Sequence, residues 1–246
     1  MESETPTSVM VVDGRAQLVL PGDGVGNPTT IPLASLPEAF VTWQRESRRV
    51  LFASLLATTD RVRHFQAHLP VVVTHRQDGD FPFHTANKGM GLLPTAEYLG
   101  YYVERFRRLL DGRSTDAWPE TLKERIALMD SLYAAPERLD RRCVGSLEIF
   151  QGQTFRNILG DPRVSLHYTG DGPEYPSFQV NAVAEIMHPG DLRFEFLYWA
   201  RQLFERDYFH IQQPAYPLGY VFWASEVFDK TPQGAGGRAS VGRRIA

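Results

Sequence analysis

The sequence has a single cysteine, Cys143, among 246 residues. A lone thiol excludes an intrachain disulfide and a zinc site built on cysteines, and we expect it to be buried and unreactive in a reducing cytoplasm. The sequence also lacks an apolar run of transmembrane length, and its polar start, "MESETPTS", has neither the basic nor the apolar part of a signal peptide. We therefore expect a cytoplasmic protein without a membrane partner.

An excess of positive charge is absent as well. The formal net charge is -3, and the chain is 43% hydrophobic and 12% aromatic. A protein that coats nucleic acid needs a basic surface, so we expect no nucleic-acid partner. The composition is that of a globular protein with an apolar core, and the length suits one large domain or two small ones.

Several enzyme signatures are missing too. The sequence contains no P-loop, no G-x-S-x-G and no H-E-x-x-H. The glycines of "PGDGVGNP" (residues 21–28) are not followed directly by a helix pattern, as a dinucleotide-binding fingerprint requires. The segment from 20 to 33 is instead predicted to be loop, since glycine and proline dominate turns.

The histidines offer weak metal sites at most. His64 and His68 would share one face of a helix, but the neighbouring Arg61 and Arg63 disfavour a cation. We expect no metal.

Two further histidine-containing groups have simpler interpretations. Glu185, His188 and Asp191 could form a carboxylate–imidazole site at a strand end, yet Pro and Gly between them indicate a turn before a helix. His84 and His167 lie on predicted strands, where a half-buried polar role is the ordinary one.

The hydrophobic pattern predicts an α+β protein. Hairpins are expected around Asp13-Gly14 and Asp78-Gly79, because Asp-Gly suits a tight hairpin turn. One or two helices are predicted between them, two amphipathic helices within 95–137, and a helix capped by Asp191 before a last strand. Because most neighbouring strands would pair antiparallel, a barrel or sandwich is favoured over a doubly wound sheet.

The segment "GQTFRNILGDPRVSL" (residues 152–166) carries the strongest chemical signal. It predicts a short helix, a turn and a strand. The first turn of a helix presents free N–H groups that attract phosphate, and Thr154 and Arg156 would add a hydroxyl and a guanidinium. Asn157 would contact a ligand or cap locally. The alternative is that Thr154 caps the helix, Asp161-Pro162 ends it and the arginines are solvated.

In its wider context this segment resembles the pyridoxamine 5′-phosphate oxidase-like, flavin-binding split-barrel superfamily. The blocks "NILGDPRVSL", "VNAVAEI" and "YVFWASEVFD" follow one another in the family's order, and "LPVVVTHRQDGDFPFHT" resembles its opening hairpin. The resemblance covers roughly residues 60–88 and 140–230. It departs from the family at Thr154, where a lysine is common, and at Ala182, where a glycine is usual.

The resemblance implies a split antiparallel β-barrel with helical additions. An N-terminal hairpin and helices (1–59) would pack on a barrel domain (60–230). A helical insertion at about 90–138 would interrupt the barrel, and 231–246 would be a flexible tail. The barrel would form a homodimer.

The resemblance also implies an FMN-dependent oxidoreductase acting on a small organic substrate, with FMN in a groove at the dimer interface. No catalytic residue can be named, because the cofactor carries the redox chemistry. The residues expected to bind the cofactor, with Lys88 restoring the charge that Thr154 lacks, are His84, Lys88, Gln153, Thr154, Arg156, Asn157 and Gln179.

Two alternatives remain open at this stage. A haem-binding or haem-degrading split barrel would need an axial ligand, for which His84, His167 and His210 are the options. A non-catalytic ligand-binding protein is the other, given the missing lysine.

Overall fold

The structure is a computed structural model. It describes residues 8–19, 28–57, 66–76, 79–111, 118–171, 174–207, 213, 215–232 and 243–246.

These residues form strands and α-helices joined in part by short 3-10 helices. The strands are β1 (Ser8–Val12), β2 (Arg15–Val19), β3 (Thr29–Pro32), β4 (Val71–His75), β5 (Phe83–Asn87), β6 (Gly91–Pro94), β7 (Leu139–Leu147), β8 (Arg163–Thr169), β9 (Ser177–Met187), β10 (Gly219–Asp229) and β11 (Arg243–Arg244). The helices are α1 (Glu38–Leu56), α2 (Ala96–Leu110), α3 (Leu122–Tyr133), α4 (Gln153–Gly160) and α5 (Leu192–Gln202). The 3-10 helices are Gln66–His68, Pro119–Thr121 and Pro136–Arg138.

The main sheet is antiparallel throughout, in the order β5-β4-β8-β9-β10-β7-β6, with β11 also paired to β10. The predicted α+β class and antiparallel sheet are confirmed. Within the described residues the pairings form an open path from β5 to β6 rather than a closed ring.

The two faces of this sheet have different neighbours. On the inner face, the Phe40 ring of α1 packs edge-on against Tyr168 and Phe178, at centroid distances of 5.1 and 5.4 Å. On the outer face, the small sheet β1-β2-β3 places Ala16 and Leu18 against Val183. The helices therefore cover the inner face, while β1–β3 cover part of the outer one.

The first predicted hairpin turn is confirmed. Asp13 and Gly14 join β1 to β2, with positive φ angles of 49° and 71°. Both central residues of a type I′ turn need that conformation, which Asp and Gly tolerate better than other residues. Of the second pair, Gly79 has a φ of 94° and Asp78 lies outside the described residues.

The structure corrects three sequence predictions. Thr29–Pro32, predicted as loop, is strand β3, and Gly91–Pro94, placed in the helical insertion, is strand β6 paired with β7. At the far end of the expected flexible tail, Arg243–Arg244 pair with Phe228 and Asp229 of β10. All three strands have at most four residues, which is too short for an alternating pattern to be recognised.

Candidate functional site

Helix α4 follows the predicted course. It begins at Gln153, Gly152 occupies the N-cap position, and Asp161 is the first residue beyond its end. Burial disfavours the charged form of Asp161, but hydrogen bonds from the backbone and guanidinium of Arg163 outweigh this and lower the carboxyl pKa. Arg163 is therefore paired, contrary to the interpretation that both arginines of this segment are only solvated.

A chain of polar contacts ties α4 to the sheet. The Gln153 amide donates to Asn157 Oδ1 at 2.8 Å, and Asn157 Nδ2 donates to Thr74 Oγ1 at 2.8 Å. The Thr74 hydroxyl in turn donates to the carbonyl of His84 at 3.3 Å. Because Asn157 and Thr74 are buried, these bonds hold α4 in a fixed position against β4 and β5.

Two other predicted residues belong to the same helix. Arg156 is exposed, and its Nη2 donates to Gln153 Oε1 at 2.8 Å. Thr154 is buried and does not occupy the N-cap position, so the alternative in which Thr154 caps the helix is wrong. His84 is half-buried, and its side chain lies on the α4 side of the sheet because it pairs with Thr74. We call Gln153, Arg156, Asn157, Thr74 and His84 the α4 corner.

Lys88 is held by a different group. Its ammonium donates to Glu148 Oε2 at 2.7 Å, with 9% and 3% of the two side chains exposed. The Tyr220 hydroxyl donates to the same oxygen at 2.6 Å, and the backbone N–H of Phe150 donates to Oε1. Burial, reinforced by Glu148, raises the pKa of Tyr220. Lys88 thus neutralises a buried carboxylate, which leaves it a poor substitute for a cation at position 154.

Gln179 lies on the outer face of the sheet. Gln179 pairs with His167, and His167 pairs with Val71, so these three side chains share one face of the sheet. Because successive side chains of a strand alternate between the two faces, Val71 and Thr74 of β4 point to opposite faces. The Gln179 amide donates to Asn181 Oδ1 at 2.9 Å. The structure therefore separates Gln179 from the α4 corner by the thickness of the sheet.

The remaining histidine candidates are dispersed. His167 is exposed on β8, and burial, followed by the charge of Lys230, lowers its pKa. His64 and His210 lie outside the described residues. Among the residues that the structure describes, no cluster of three or more His, Cys, Asp or Glu side chains could hold a metal.

The turn before α5 contains ion pairs. Arg193 donates to both oxygens of Glu185, at 2.9 and 2.8 Å, and to both oxygens of Asp191. Hydrogen bonds from Arg193 lower the Asp191 pKa. Because Arg193 engages both carboxylates and His188 is exposed, this segment is the structural turn favoured above, and Asp191 is the predicted N-cap of α5.

Cys143 is buried on β7, as expected. Burial raises its thiol pKa well above the ordinary value, which leaves the thiol protonated and a poor nucleophile at neutral pH.

An apolar cavity of about 100 Å³ lies between α1, α3, α5 and the β6–β7 pair, and the sequence analysis did not predict it. Its lining includes the half-buried Leu147, Ile149 and Leu197. Its lining comes from segments far apart in the chain, so no local motif marks it. The apolar side chains that form its walls include Leu51, Phe52, Leu55, Met129, Phe196 and Phe204.

One end of this cavity is polar. His68 Nδ1 lies 2.6 Å from the carbonyl of Met90, and Arg48 Nη2 donates to the same carbonyl at 3.2 Å. Burial lowers the pKa of His68 to about 3, and the charges of Arg48 and Arg201 act in the same direction. The imidazole is therefore neutral at pH 7.

No protein-family model and no curated protein matches the sequence. Solved structures do match. HupZ from Group A Streptococcus has a TM-score of 0.38 at 13% identity, over 69% of this chain and 90% of that one. A putative pyridoxamine 5′-phosphate oxidase from Listeria innocua matches with a TM-score of 0.37 at 9% identity, over 74% of this chain and 96% of that one. General stress protein 26 from Bacillus anthracis matches with a TM-score of 0.35 at 10% identity, over 75% of this chain and 92% of that one.

These likenesses are partial, with TM-scores below 0.4. The structure itself confirms the expected antiparallel α+β architecture. TM-scores below 0.5 at such low identity decide neither cofactor nor activity. None of the helices in the described segments is long and apolar enough to cross a membrane.

Proposed function

We propose that this protein is an FMN-dependent oxidoreductase acting on a small organic substrate, and that the α4 corner binds the cofactor phosphate. The observation that carries the proposal is that three groups able to bind phosphate lie close together on α4. These are the N-terminus of α4, the exposed guanidinium of Arg156 and the amide of Gln153.

The chemistry of these groups suits a phosphate. The first N–H groups of a helix have no acceptor within the helix, point out of its N-terminal end and carry partial positive charge. A guanidinium offers two parallel N–H donors that match phosphate oxygens. The bond from Asn157 to Thr74 keeps the helix in place, so little order has to be gained on binding.

Among the residues of the α4 corner, Arg156 is the one that carries a permanent positive charge, where the family resemblance implies an additional lysine. Thr154 replaces the usual lysine, and Lys88 is engaged by Glu148. We therefore infer that Arg156 supplies most of the charge that selects a phosphate here. When bound, FMN would supply the electron transfer, and the residues of the α4 corner would anchor and orient it.

We further infer a homodimer built on the uncovered part of the outer face. Phe83, at the start of β5, is 65% exposed there, and the adjoining Phe81 is 78% exposed. Large neighbouring aromatic side chains in contact with water commonly mark a protein interface.

An absorption spectrum of the freshly purified protein tests the cofactor. Flavin bands that appear on purification or on adding FMN support the proposal. A Soret band would replace it with the haem alternative. If neither signal appears and added FMN does not bind, the proposal is overturned and the non-catalytic alternative is left.

A further inference from the structure

The cavity between the helices and the β6–β7 pair has the volume of a small organic molecule. An apolar cavity of about 150 Å³ binds benzene, so a cavity of about 100 Å³ suits a molecule of about four carbons. Its walls are mostly aliphatic and aromatic side chains from α1, α3 and α5, which favour an apolar ligand.

Tyr133, the last residue of α3, brings a hydroxyl to this cavity. The residue is 4% exposed, and its ring contacts Phe52, at a centroid distance of 6.1 Å, and the guanidinium of Arg48. Gly91 also lines the cavity, and a Cβ at that position would lie 3.3 Å from the Tyr133 hydroxyl. The lack of a side chain at Gly91 therefore leaves space beside the hydroxyl.

This hydroxyl has no hydrogen-bond partner among the residues that the structure describes. Tyr133 contacts them through its ring and through its backbone carbonyl, which accepts from Arg45 Nε. Buried hydroxyl groups in proteins nearly always have a partner, because an unpaired one has lost its hydrogen bonds to water. An unpaired hydroxyl that faces a cavity therefore indicates a ligand that hydrogen-bonds to it.

The charged groups that line the cavity are engaged by the protein itself. Arg48 donates to the carbonyl of Met90, which also lies 2.6 Å from His68 Nδ1. Arg201 forms an ion pair with Glu205. Because apolar walls disfavour an ionised group, we expect the ligand to be uncharged.

A carbonyl group fits the Tyr133 hydroxyl better than other neutral polar groups do. The phenolic O–H donates one hydrogen bond, and a carbonyl oxygen needs only a donor. An alcohol or an amine would bring a donor of its own, which would need an acceptor within an apolar cavity.

We propose that this cavity binds a small uncharged ketone or aldehyde of about four carbons. Its oxygen accepts a hydrogen bond from the Tyr133 hydroxyl, and its apolar body lies between α1, α3 and α5. The site goes beyond the proposed flavin function and does not depend on it.

Titration of the full chain at pH 7, followed by two-dimensional NMR, tests the class of ligand. The probe is butanone. Propanoate has a charged oxygen in place of one methyl group of butanone, and 2-methyl-1-butene has a CH₂ group in place of the carbonyl oxygen, so both match its shape. Butanone is expected to bind about tenfold or more tightly than propanoate, because a carboxylate loses its hydration in the cavity.

The variant Tyr133→Phe tests the hydrogen bond while keeping the ring. It should weaken butanone binding by about tenfold without weakening the binding of 2-methyl-1-butene, because only the ketone uses the hydroxyl. The matched control is Tyr101→Phe, at a residue 45% exposed on α2, which should change neither affinity.

The variant Ala200→Phe tests the location, because it fills the cavity from α5. It should abolish butanone binding, whereas Ala53→Phe, on the exposed side of α1, should leave it unchanged. Circular dichroism establishes that each variant is folded. If Ala200→Phe does not fold, the comparison with Tyr133→Phe decides on its own.

Each contrary result overturns the proposal. Propanoate that binds as tightly as butanone would contradict an uncharged ligand. Equal butanone affinity in the wild-type protein and in Tyr133→Phe would show that the hydroxyl does not hold the carbonyl. Unchanged binding in folded Ala200→Phe would place the ligand elsewhere, and no binding of butanone to the wild-type protein would remove the site. Titrations with and without added FMN keep these results separate from the outcome of the flavin proposal.

Discussion

At the residue scale, the buried pair of Lys88 and Glu148 shows how a functional expectation can conflict with burial. Sequence alone offers an isolated lysine near a predicted strand end, where a phosphate contact is reasonable. Its partner lies 60 residues away, so no local pattern could reveal it. Asn157 could be recognised as a polar residue on a short helix, but its bond to Thr74 depends on how α4 packs against β4.

Replacing Lys88 by Met is expected to lower the free energy of unfolding by about 3–5 kcal/mol, because it leaves the Glu148 carboxylate buried without its counter-charge. The double variant Lys88→Met/Glu148→Gln removes the charge and keeps an acceptor for Tyr220, so it should recover at least half of that loss. Urea unfolding measures both. A loss below about 1 kcal/mol in Lys88→Met would show that Glu148 is not held as a buried anion.

The low pKa of His68 predicts a specific pH dependence. The folded value of about 3 lies below the ordinary 6.5, so the unfolded chain binds the proton more strongly between those values. Stability from this group is complete above pH 6.5 and falls as the pH decreases towards 3. Between pH 7 and pH 5 the loss amounts to about 2 kcal/mol.

The comparison variant is His68→Gln, which cannot titrate. Urea unfolding at pH 7 and pH 5 should show the wild-type protein losing about 2 kcal/mol more than the variant. Equal losses in the two proteins would contradict the buried, neutral imidazole.

At the scale of elements, the sequence predicts what is long and periodic. The amphipathic patterns of α2, α3 and α5, the Asp-Gly turn between β1 and β2, and the helix–turn–strand order around α4 all follow from local chemistry. β3 and β6 do not, because their extended conformation depends on pairing with β2 and β7. For the same reason, local sequence patterns do not predict the cavity, which forms only where the helices pack against the β6–β7 pair.

Two glycines test how closely elements pack. A Cβ at Gly145 of β7 would lie 2.9–3.0 Å from the Leu197 and Leu93 methyl groups, so Gly145→Ala should destabilise the protein by about 1–3 kcal/mol. Gly100 lies exposed on α2 with no atom within 4 Å of the added carbon. Gly100→Ala should therefore stabilise it by about 0.5–1 kcal/mol. Thermal unfolding that ranks the two variants in the reverse order would contradict the packing of α5 on β7.

At the scale of the whole molecule, fold class is the most predictable property and association the least. The antiparallel α+β architecture follows from the order of predicted elements, whereas a homodimer depends on which surface stays uncovered. The outer face is partly covered by β1–β3, and the exposed Phe83 lies on the uncovered edge of the same sheet.

The inferred dimer predicts a charge-sensitive interface. Phe83→Asp should convert a dimer into a monomer, because a buried carboxylate at the centre of an apolar contact is costly. Phe150→Asp, at a residue 62% exposed outside the sheet, is the control and should leave the mass unchanged. Size-exclusion chromatography with light scattering measures both. A wild-type monomer would contradict the dimer outright.

The central claim, that the α4 corner recognises the phosphate of FMN, is tested most directly by comparing FMN with riboflavin, which lacks that phosphate. Fluorescence titration of the wild-type protein should show FMN binding at least tenfold more tightly. In Arg156→Ala this preference should fall by about tenfold or more, while Arg105→Ala, which removes an exposed guanidinium on α2, should preserve it. Equal affinity for FMN and riboflavin in the wild-type protein, or a preference unchanged in Arg156→Ala, would contradict the account.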